Sequence, residues 1–328
     1  MLPVLDLADA DSAQFRAALL AATHEAGFFY LTGHGVPQRQ IDDLLAVARR
    51  FFALPQEAKQ EISQLRSPQF RGYSRLGGEL TNGAVDWREQ VDIGPERPVI
   101  PGAEGYRRLQ GPNLWPSALP EFRAALQNWD ATLAAVGRRL LGHWAVALGA
   151  EEDLFDAAFA DRPATLIKVV RYPGNIDNPQ GVGAHKDSGV LTLLLVEPES
   201  RGLQVEIEPD RWLDVPPLPG AFIVNIGELL EVATNGYLRA TRHRVIAPEP
   251  GTDRISIPYF HNPGLDARIP IVDLPPELAA HARGVEADPD NPIFDNYGEN
   301  AWKSRTRAHP DVAELHHGIA PKGPAAAY

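Results

Sequence analysis

A mixed α+β protein, built on an antiparallel barrel or jelly roll with helices on either side of it in sequence, is the fold class this chain predicts. Two observations carry the expectation. Apolar residues recur at helical spacing through much of the first 160 residues, whereas after Pro163 they fall into short β-rich runs: "TLIKVVRY", "VLTLLLVE", "LQVEI", "AFIVNIG", "HRVIA" and "RISIPYF". The segments between these runs are too short for crossover helices, apart from a brief helical stretch at Gly227–Val232, so a parallel βαβ sheet is disfavoured. We expect residues 1–160 to form a helical and mixed region packed on the core, 161–265 the β core, and 266–328 a C-terminal helix and tail, within one compact unit.

Each element has a local reason. "DSAQFRAALLAATHEAG" offers Asp11 or Ser12 as a helix cap, Phe15, Leu19 and Ala22 on one stripe, and Gly27 as the stop. A short strand follows in "FFYLTGHGV". Gln38 to Ala53 reads as an amphipathic helix with Ile41, Leu44, Leu45, Ala48 and Phe52 on one face, and Pro55 opens a shorter one. From Arg66 to Pro120 the chain is rich in Gly, Pro and polar residues, the composition of a linker or a binding loop; Phe70, Tyr73, Trp87, Tyr106 and Trp115 favour packing over a free linker. Pro120 to Gly149 is a long helix, with Phe122, Leu126, Trp129, Leu133, Val136, Leu140, Trp144 and Leu148 stepping by three or four. "NYGENAWKSRTRAHPDV" supplies a last helix, ended before Pro310.

Composition excludes whole classes of chemistry. With 31 basic against 43 acidic residues the net charge is −12, which repels nucleic acid and anionic membranes, and no basic patch offsets it. There are no cysteines, hence no disulfide, thiolate metal site or cysteine nucleophile; any metal must sit on His, Asp or Glu. No segment approaches the roughly 20 apolar residues of a membrane span. "MLPVLDLADADS" is acidic where a signal peptide is basic, so a cytoplasmic protein is expected, with a monomer as the starting assumption. No Walker loop, serine nucleophile elbow or complete Gly-x-Gly-x-x-Gly fingerprint is present.

"GVGAHKDSGVLTLLLVE" is where chemistry enters, since it charges the mouth of an apolar run. In extended chain, residues two apart share a face, so His185 and Asp187 converge while Lys186 turns away. His243 in "RATRHRVIAP" is the candidate third ligand. Two histidines and one carboxylate leave open positions, which suits Fe(II) that must bind oxygen and a chelating co-substrate; zinc hydrolysis is the chemical competitor. "DRISIPYF" separates the two, because Arg254 and Ser256 point the same way and offer a guanidinium fork and a hydroxyl to a carboxylate, for which hydrolysis has no use. Tyr172 in "KVVRYPG" supplies a further hydroxyl from a neighbouring strand.

Taken in order, His185-x-Asp187, His243, Arg254-x-Ser256 and Tyr172-Pro173 resemble the iron(II)/2-oxoglutarate-dependent oxygenases of the isopenicillin N synthase-like type. "GFFYLTGHGV", "DWREQVDIG", "GLQVE" and "VNIGELLEVATNG" extend the resemblance over nearly the whole chain. It implies a double-stranded β-helix wrapped by helices, with iron on His185, Asp187 and His243 and 2-oxoglutarate held by Arg254, Ser256 and Tyr172. It also implies a dioxygenase that consumes O2, yields succinate and CO2, and hydroxylates, desaturates or cyclises a small organic substrate. Phe260 falls where relatives place an aromatic against substrate, and Arg71 and Tyr73 in the irregular region are further candidate substrate contacts. Two departures stand out: Lys186 occupies a common threonine position, and Val170 replaces an asparagine two residues before the tyrosine.

Three alternatives stay open at this point: an iron oxidase that needs no 2-oxoglutarate, an ethylene-forming fragmentation of 2-oxoglutarate, and a catalytically silent jelly-roll binding protein. Other histidines read as structural. His24, His34 and His143 are expected in packing roles, His261 at an exposed position, and His316 and His317 in a mobile tail.

Overall fold

The computed structural model of the protein describes residues 1–174, 178, 180–285, 288–289 and 291–320. Its strands are β1 (Val4–Asp6), β2 (Phe28–Thr32), β3 (Gly72–Ser74), β4 (Glu79–Thr81), β5 (Ala84–Asp86), β6 (Glu89–Ile93), β7 (Leu166–Pro173), β8 (Gln180–His185), β9 (Leu191–Val196), β10 (Leu203–Glu208), β11 (Arg211–Asp214), β12 (Phe222–Ile226), β13 (His243–Ile246) and β14 (Asp253–His261). The helices are α1 (Ala13–Glu25), α2 (Gln38–Phe52), α3 (Gln56–Gln60), α4 (Glu121–Ala147), α5 (Asp156–Ala160), α6 (Glu228–Ala233), α7 (Pro276–Ala279), α8 (Tyr297–Ala308) and α9 (Pro310–His317).

An eight-stranded sheet in the order β1-β2-β12-β9-β14-β7-β6-β3 faces a four-stranded sheet, β11-β10-β13-β8, and β4 with β5 forms a separate hairpin. The pairing of β1 with β2 is parallel, and the others are antiparallel. The two sheets are the jelly roll. Four strands of the N-terminal region join the large sheet, so the stretch after Arg66 that reads as irregular resolves into short strands.

Strand alternation decides which side chains meet. On β7, β9, β12 and β14 the residues Ile167, Val169, Leu191, Leu193, Phe222, Val224, Ile255 and Ile257 belong to one core, shared with α1, α2 and α4. The alternate positions turn between the sheets, where Val170, Tyr172, Val196 and Ile223 meet Val182, Leu203, Val205 and Val245 of the small sheet. The central strands are therefore buried on both faces, which explains their near-continuous apolar runs. Polar residues at alternate positions on these strands are aimed at the interior.

Local chemistry sets the helix ends. The Ser12 hydroxyl accepts the Phe15 amide at the start of α1. Past its end, Gly27 takes φ +68°, and a Cβ there would lie 2.1 Å from the Arg239 carbonyl oxygen, so only glycine fits. Two expectations are corrected. His261 is buried, not exposed, and stacks on Phe159 at 4.6 Å because β14 runs on beneath α4 and α5. His316 and His317 lie in α9 rather than in a tail, tied to the Leu65 and Pro68 carbonyls at 2.8 Å. Among the described residues, no helix is long and apolar enough to cross a membrane.

Candidate metal and co-substrate site

His185 ends β8 and His243 begins β13, and the two are direct cross-strand partners. Asp187 lies just beyond β8, so the proximal pair closes one strand instead of opening the next. Its main chain is held by α6, whose Glu228 amide donates to the Asp187 carbonyl at 2.8 Å. Lys186 turns aside to Glu231 at 2.9 Å.

The three side chains can each place one ligand atom within 4.8 Å of the others. The Nδ1 of His185 lies 2.8 Å from the Gly183 carbonyl and that of His243 lies 3.0 Å from the Thr241 carbonyl. A carbonyl only accepts, so each Nδ1 carries the hydrogen and each Nε2 presents a lone pair. Those two Nε2 atoms sit 3.7 and 3.8 Å from Asp187 Oδ1, too far for hydrogen bonds. They match two donors on one ion, since bonds of about 2.1 Å at open angles set donors roughly 3–4 Å apart.

Burial alone would raise the Asp187 carboxyl. His243, His185, and hydrogen bonds from Thr192 and Asn225 outweigh it and hold the group below its ordinary value. Burial, helped by His185, pushes His243 down to about 4. An ionised carboxylate beside a neutral imidazole is the protonation state a divalent ion requires. Thr192 Oγ1 and Asn225 Nδ2 donate to the other carboxylate oxygen, Oδ2, at 2.6 and 2.7 Å. Neither residue stands out in the sequence, where both read as ordinary strand positions.

Arg254 and Ser256 face the interior from β14, with Tyr172 directly opposite Arg254 on β7. Arg254 is 1% exposed, its guanidinium carbon lies 4.7 Å from the centre of the Tyr172 ring, and Nη1 reaches Ser256 Oγ at 3.3 Å. Its Nε has no hydrogen-bond partner, and among the described residues no carboxylate comes within ion-pair distance. Burial lowers its basicity. Val170, opposite Ser256, is apolar and adds no polar contact.

A cavity of about 1580 Å³ connects these groups. Beyond the triad it is lined by the hairpin residues Leu80 and Thr81, by Gly189, and by Phe260. It also has a charged wall. Lys168 Nζ bridges Glu79 at 2.8 Å and Asp92 at 3.3 Å, Arg88 bridges Glu79 at 2.9 Å and Asp86 at 3.1 Å, and Arg305 of α8 pairs with Asp92. Burial opposes ionisation of Glu79, yet Arg88, Lys168 and His309 hold its carboxyl well below the usual range.

Arg71 and Tyr73 are not brought to this cavity, which corrects their expected role as substrate contacts. Tyr73 on β3 packs towards Phe51, and its hydroxyl donates to Glu89 at 2.6 Å. Arg71 is buried against Gly94, where burial, with Arg305 nearby, lowers it to about 10.

Fold and site together define a class: jelly-roll proteins in which two histidines and a carboxylate that could hold a metal ion share a cavity with a buried arginine. The comparisons name the family. Residues 2–118 match the N-terminal family model of non-haem dioxygenases in morphine synthesis, and 164–263 match the 2OG-Fe(II) oxygenase superfamily. A 2-oxoglutarate-dependent dioxygenase of Dothideomycetidae sp. (strain 11243) is 35% identical over 95% of this chain and 91% of its own. A homoarginine-6-hydroxylase of Oryza sativa subsp. japonica is 34% identical over 81% of this chain and 82% of its own. A full-length Neurospora crassa protein solved in complex with alpha-KG superposes with a TM-score of 0.75 at 25% identity, covering 93% of this chain and 96% of that one. The chain belongs to the 2-oxoglutarate/iron(II)-dependent oxygenase family and is a non-haem dioxygenase that uses Fe(II), 2-oxoglutarate and O2.

Proposed function

We propose that His185, Asp187 and His243 hold the iron, that Arg254, Ser256 and Tyr172 seat the far carboxylate of 2-oxoglutarate, and that the substrate is a small polar molecule bearing charge. The buried Arg254, whose Nε is unpartnered and which pairs with no carboxylate among the described residues, carries the co-substrate assignment, because a buried guanidinium is completed by an anion. When bound, the iron supplies the redox chemistry that couples decarboxylation of 2-oxoglutarate to oxidation of the substrate.

The chain's own residues do the positioning. The Gly183 and Thr241 carbonyls keep both imidazoles in the ligating tautomer. Arg254, supported by the ring of Tyr172, fixes the depth of the co-substrate and so the direction of its 2-oxo end. The β4–β5 hairpin roofs the cavity: the Asn82 side chain donates to the Ala184 carbonyl at 2.8 Å and Asp86 accepts the Gly183 amide at 3.1 Å, both beside His185.

Glu79, Arg88, Lys168 and Arg305 make the outer wall hospitable to a charged substrate and inhospitable to a purely apolar one. The homoarginine hydroxylases among the relatives support an amino-acid-like substrate, with Phe260 against its apolar part. A monomeric, cytoplasmic enzyme completes the proposal, and the net charge of −12 supports one that touches neither nucleic acid nor an anionic membrane.

Anaerobic titration of the protein with Fe(II) and then 2-oxoglutarate tests the co-substrate seat. The expected result is a saturable visible charge-transfer band that Arg254→Met weakens, and a band unchanged in that variant would overturn the assignment of the seat. Succinate release is then measured with homoarginine, other basic and acidic amino acids, and neutral aromatics. Stimulation by neutral aromatics alone would overturn the substrate class.

A further inference from the structure

The Asp187 carboxylate is held asymmetrically. Oδ1 faces the Nε2 atoms of both histidines, at 3.7 and 3.8 Å. Oδ2 faces away and accepts two short hydrogen bonds, from Thr192 Oγ1 at 2.6 Å and from Asn225 Nδ2 at 2.7 Å. A carboxylate oxygen has two lone pairs, and here both are taken. The donors come from adjacent strands, as direct partners in the β9–β12 register, and both are buried. The clamp is therefore part of the sheet and leaves the carboxylate little freedom to rotate.

We propose that Thr192 and Asn225 are positioning residues that force Asp187 to ligate iron through Oδ1 alone. The inference rests on the metal assignment made above and concerns how many coordination positions that assignment leaves free. On that assignment two imidazoles and a monodentate carboxylate would take three positions of six. A chelating 2-oxo acid would take two more and leave one for an exchangeable ligand. A carboxylate free to swing Oδ2 onto the metal would fill that last position, and the co-substrate complex would be closed to a diatomic ligand. Two ordinary strand residues would thus decide whether the loaded site can accept O2.

The test uses nitric oxide as a diatomic probe, followed by the electron paramagnetic resonance signal of its complex with Fe(II) in the full-length protein under anaerobic conditions. Wild type and the double variant Thr192→Val/Asn225→Leu are titrated with and without saturating 2-oxoglutarate. The expected result is nitric oxide binding to both proteins without 2-oxoglutarate, and a loss of about tenfold or more in the variant only when 2-oxoglutarate is present. Thr192→Ser, which keeps a hydroxyl, should bind as wild type does. If the double variant does not fold, Thr192→Val alone, close to isosteric, should show a smaller loss with the same dependence. Equal affinity with 2-oxoglutarate in all variants, or parallel loss with and without it, would overturn the clamp while leaving the metal site intact. Failure of the wild-type protein to bind iron would overturn the site assignment and this inference with it.

Discussion

Arg254→Met separates two effects of opposite sign. The guanidinium is 1% exposed, with an unpartnered Nε, a hydrogen bond to Ser256 and the Tyr172 ring 4.7 Å away. Keeping an ion in such a place costs several kcal/mol even after relaxation, and its stacking on Tyr172 returns only about 0.5–2 kcal/mol. Methionine fills much of the same volume without the charge. The metal-free variant should therefore be as stable as wild type, or more stable by ~1–2 kcal/mol. Co-substrate binding moves the other way. Two charge-assisted hydrogen bonds of roughly 1.5–3 kcal/mol each are lost, and a net loss of about 3–5 kcal/mol raises the 2-oxoglutarate Kd roughly 200- to 4000-fold. Urea unfolding of the metal-free protein gives the first quantity, and anaerobic titration of the iron-loaded protein gives the second. A metal-free variant destabilised by more than ~2 kcal/mol that still bound 2-oxoglutarate normally would refute the reasoning, and make Arg254 a structural cation.

Three further outcomes follow from the geometry. His243→Ala removes one of three ligand atoms, so iron retention and oxygen consumption should both collapse; near wild-type oxygen uptake would disprove the triad. Gly227→Ala would set a Cβ 2.2 Å from the Gly189 carbonyl oxygen and 3.1 Å from that of Asp187, backbone on both sides, so a loss of about 2–4 kcal/mol in unfolding free energy with weakened iron binding is expected. Burial lowers His309 to about 4 and His261 to about 3, so both stay neutral when folded over a range in which the unfolded chain, near 6.5, takes up protons. Stability contributed by the two neutral imidazoles is full above pH ~6.5 and is lost as the pH falls towards 4 and then 3, by at most roughly 3–5 kcal/mol each; a denaturation midpoint flat from pH 7 to 4 would contradict this.

The parts of the site legible in the sequence are those set by spacing of one or two residues. His185 and Asp187, and Arg254 and Ser256, are pairs whose geometry follows from extended chain, and each pair reaches the same cavity. Thr192 and Asn225 were not legible, because a threonine or asparagine in an apolar strand acquires meaning only once β9 and β12 are in register. The charged wall was hidden for a related reason. Glu79, Asp92, Lys168 and Arg305 come from a hairpin, two strands and the last long helix, and nothing local distinguishes them from solvated charges. His261 misled because a histidine at a strand end usually faces water, whereas here Phe159 covers it. Arg71 and Tyr73 misled because membership of the irregular stretch says nothing about which side of β3 meets the helices.

The ionic wall also constrains how this enzyme can change its diet over evolution or in the laboratory. Glu79 serves Lys168 and Arg88 at once, and Asp92 serves Lys168 and Arg305, so the charges are shared between neighbours and cannot be exchanged singly. Replacing one leaves an ion stranded away from water, at a cost of about 3–5 kcal/mol that could exceed what a marginally stable chain can lose. Routes to a new substrate through this wall therefore pass by coupled substitutions that remove a cation and an anion together. Single-site libraries at these positions should return mostly unfolded protein, while paired libraries and the apolar positions Leu80 and Phe260 should hold the accessible variation.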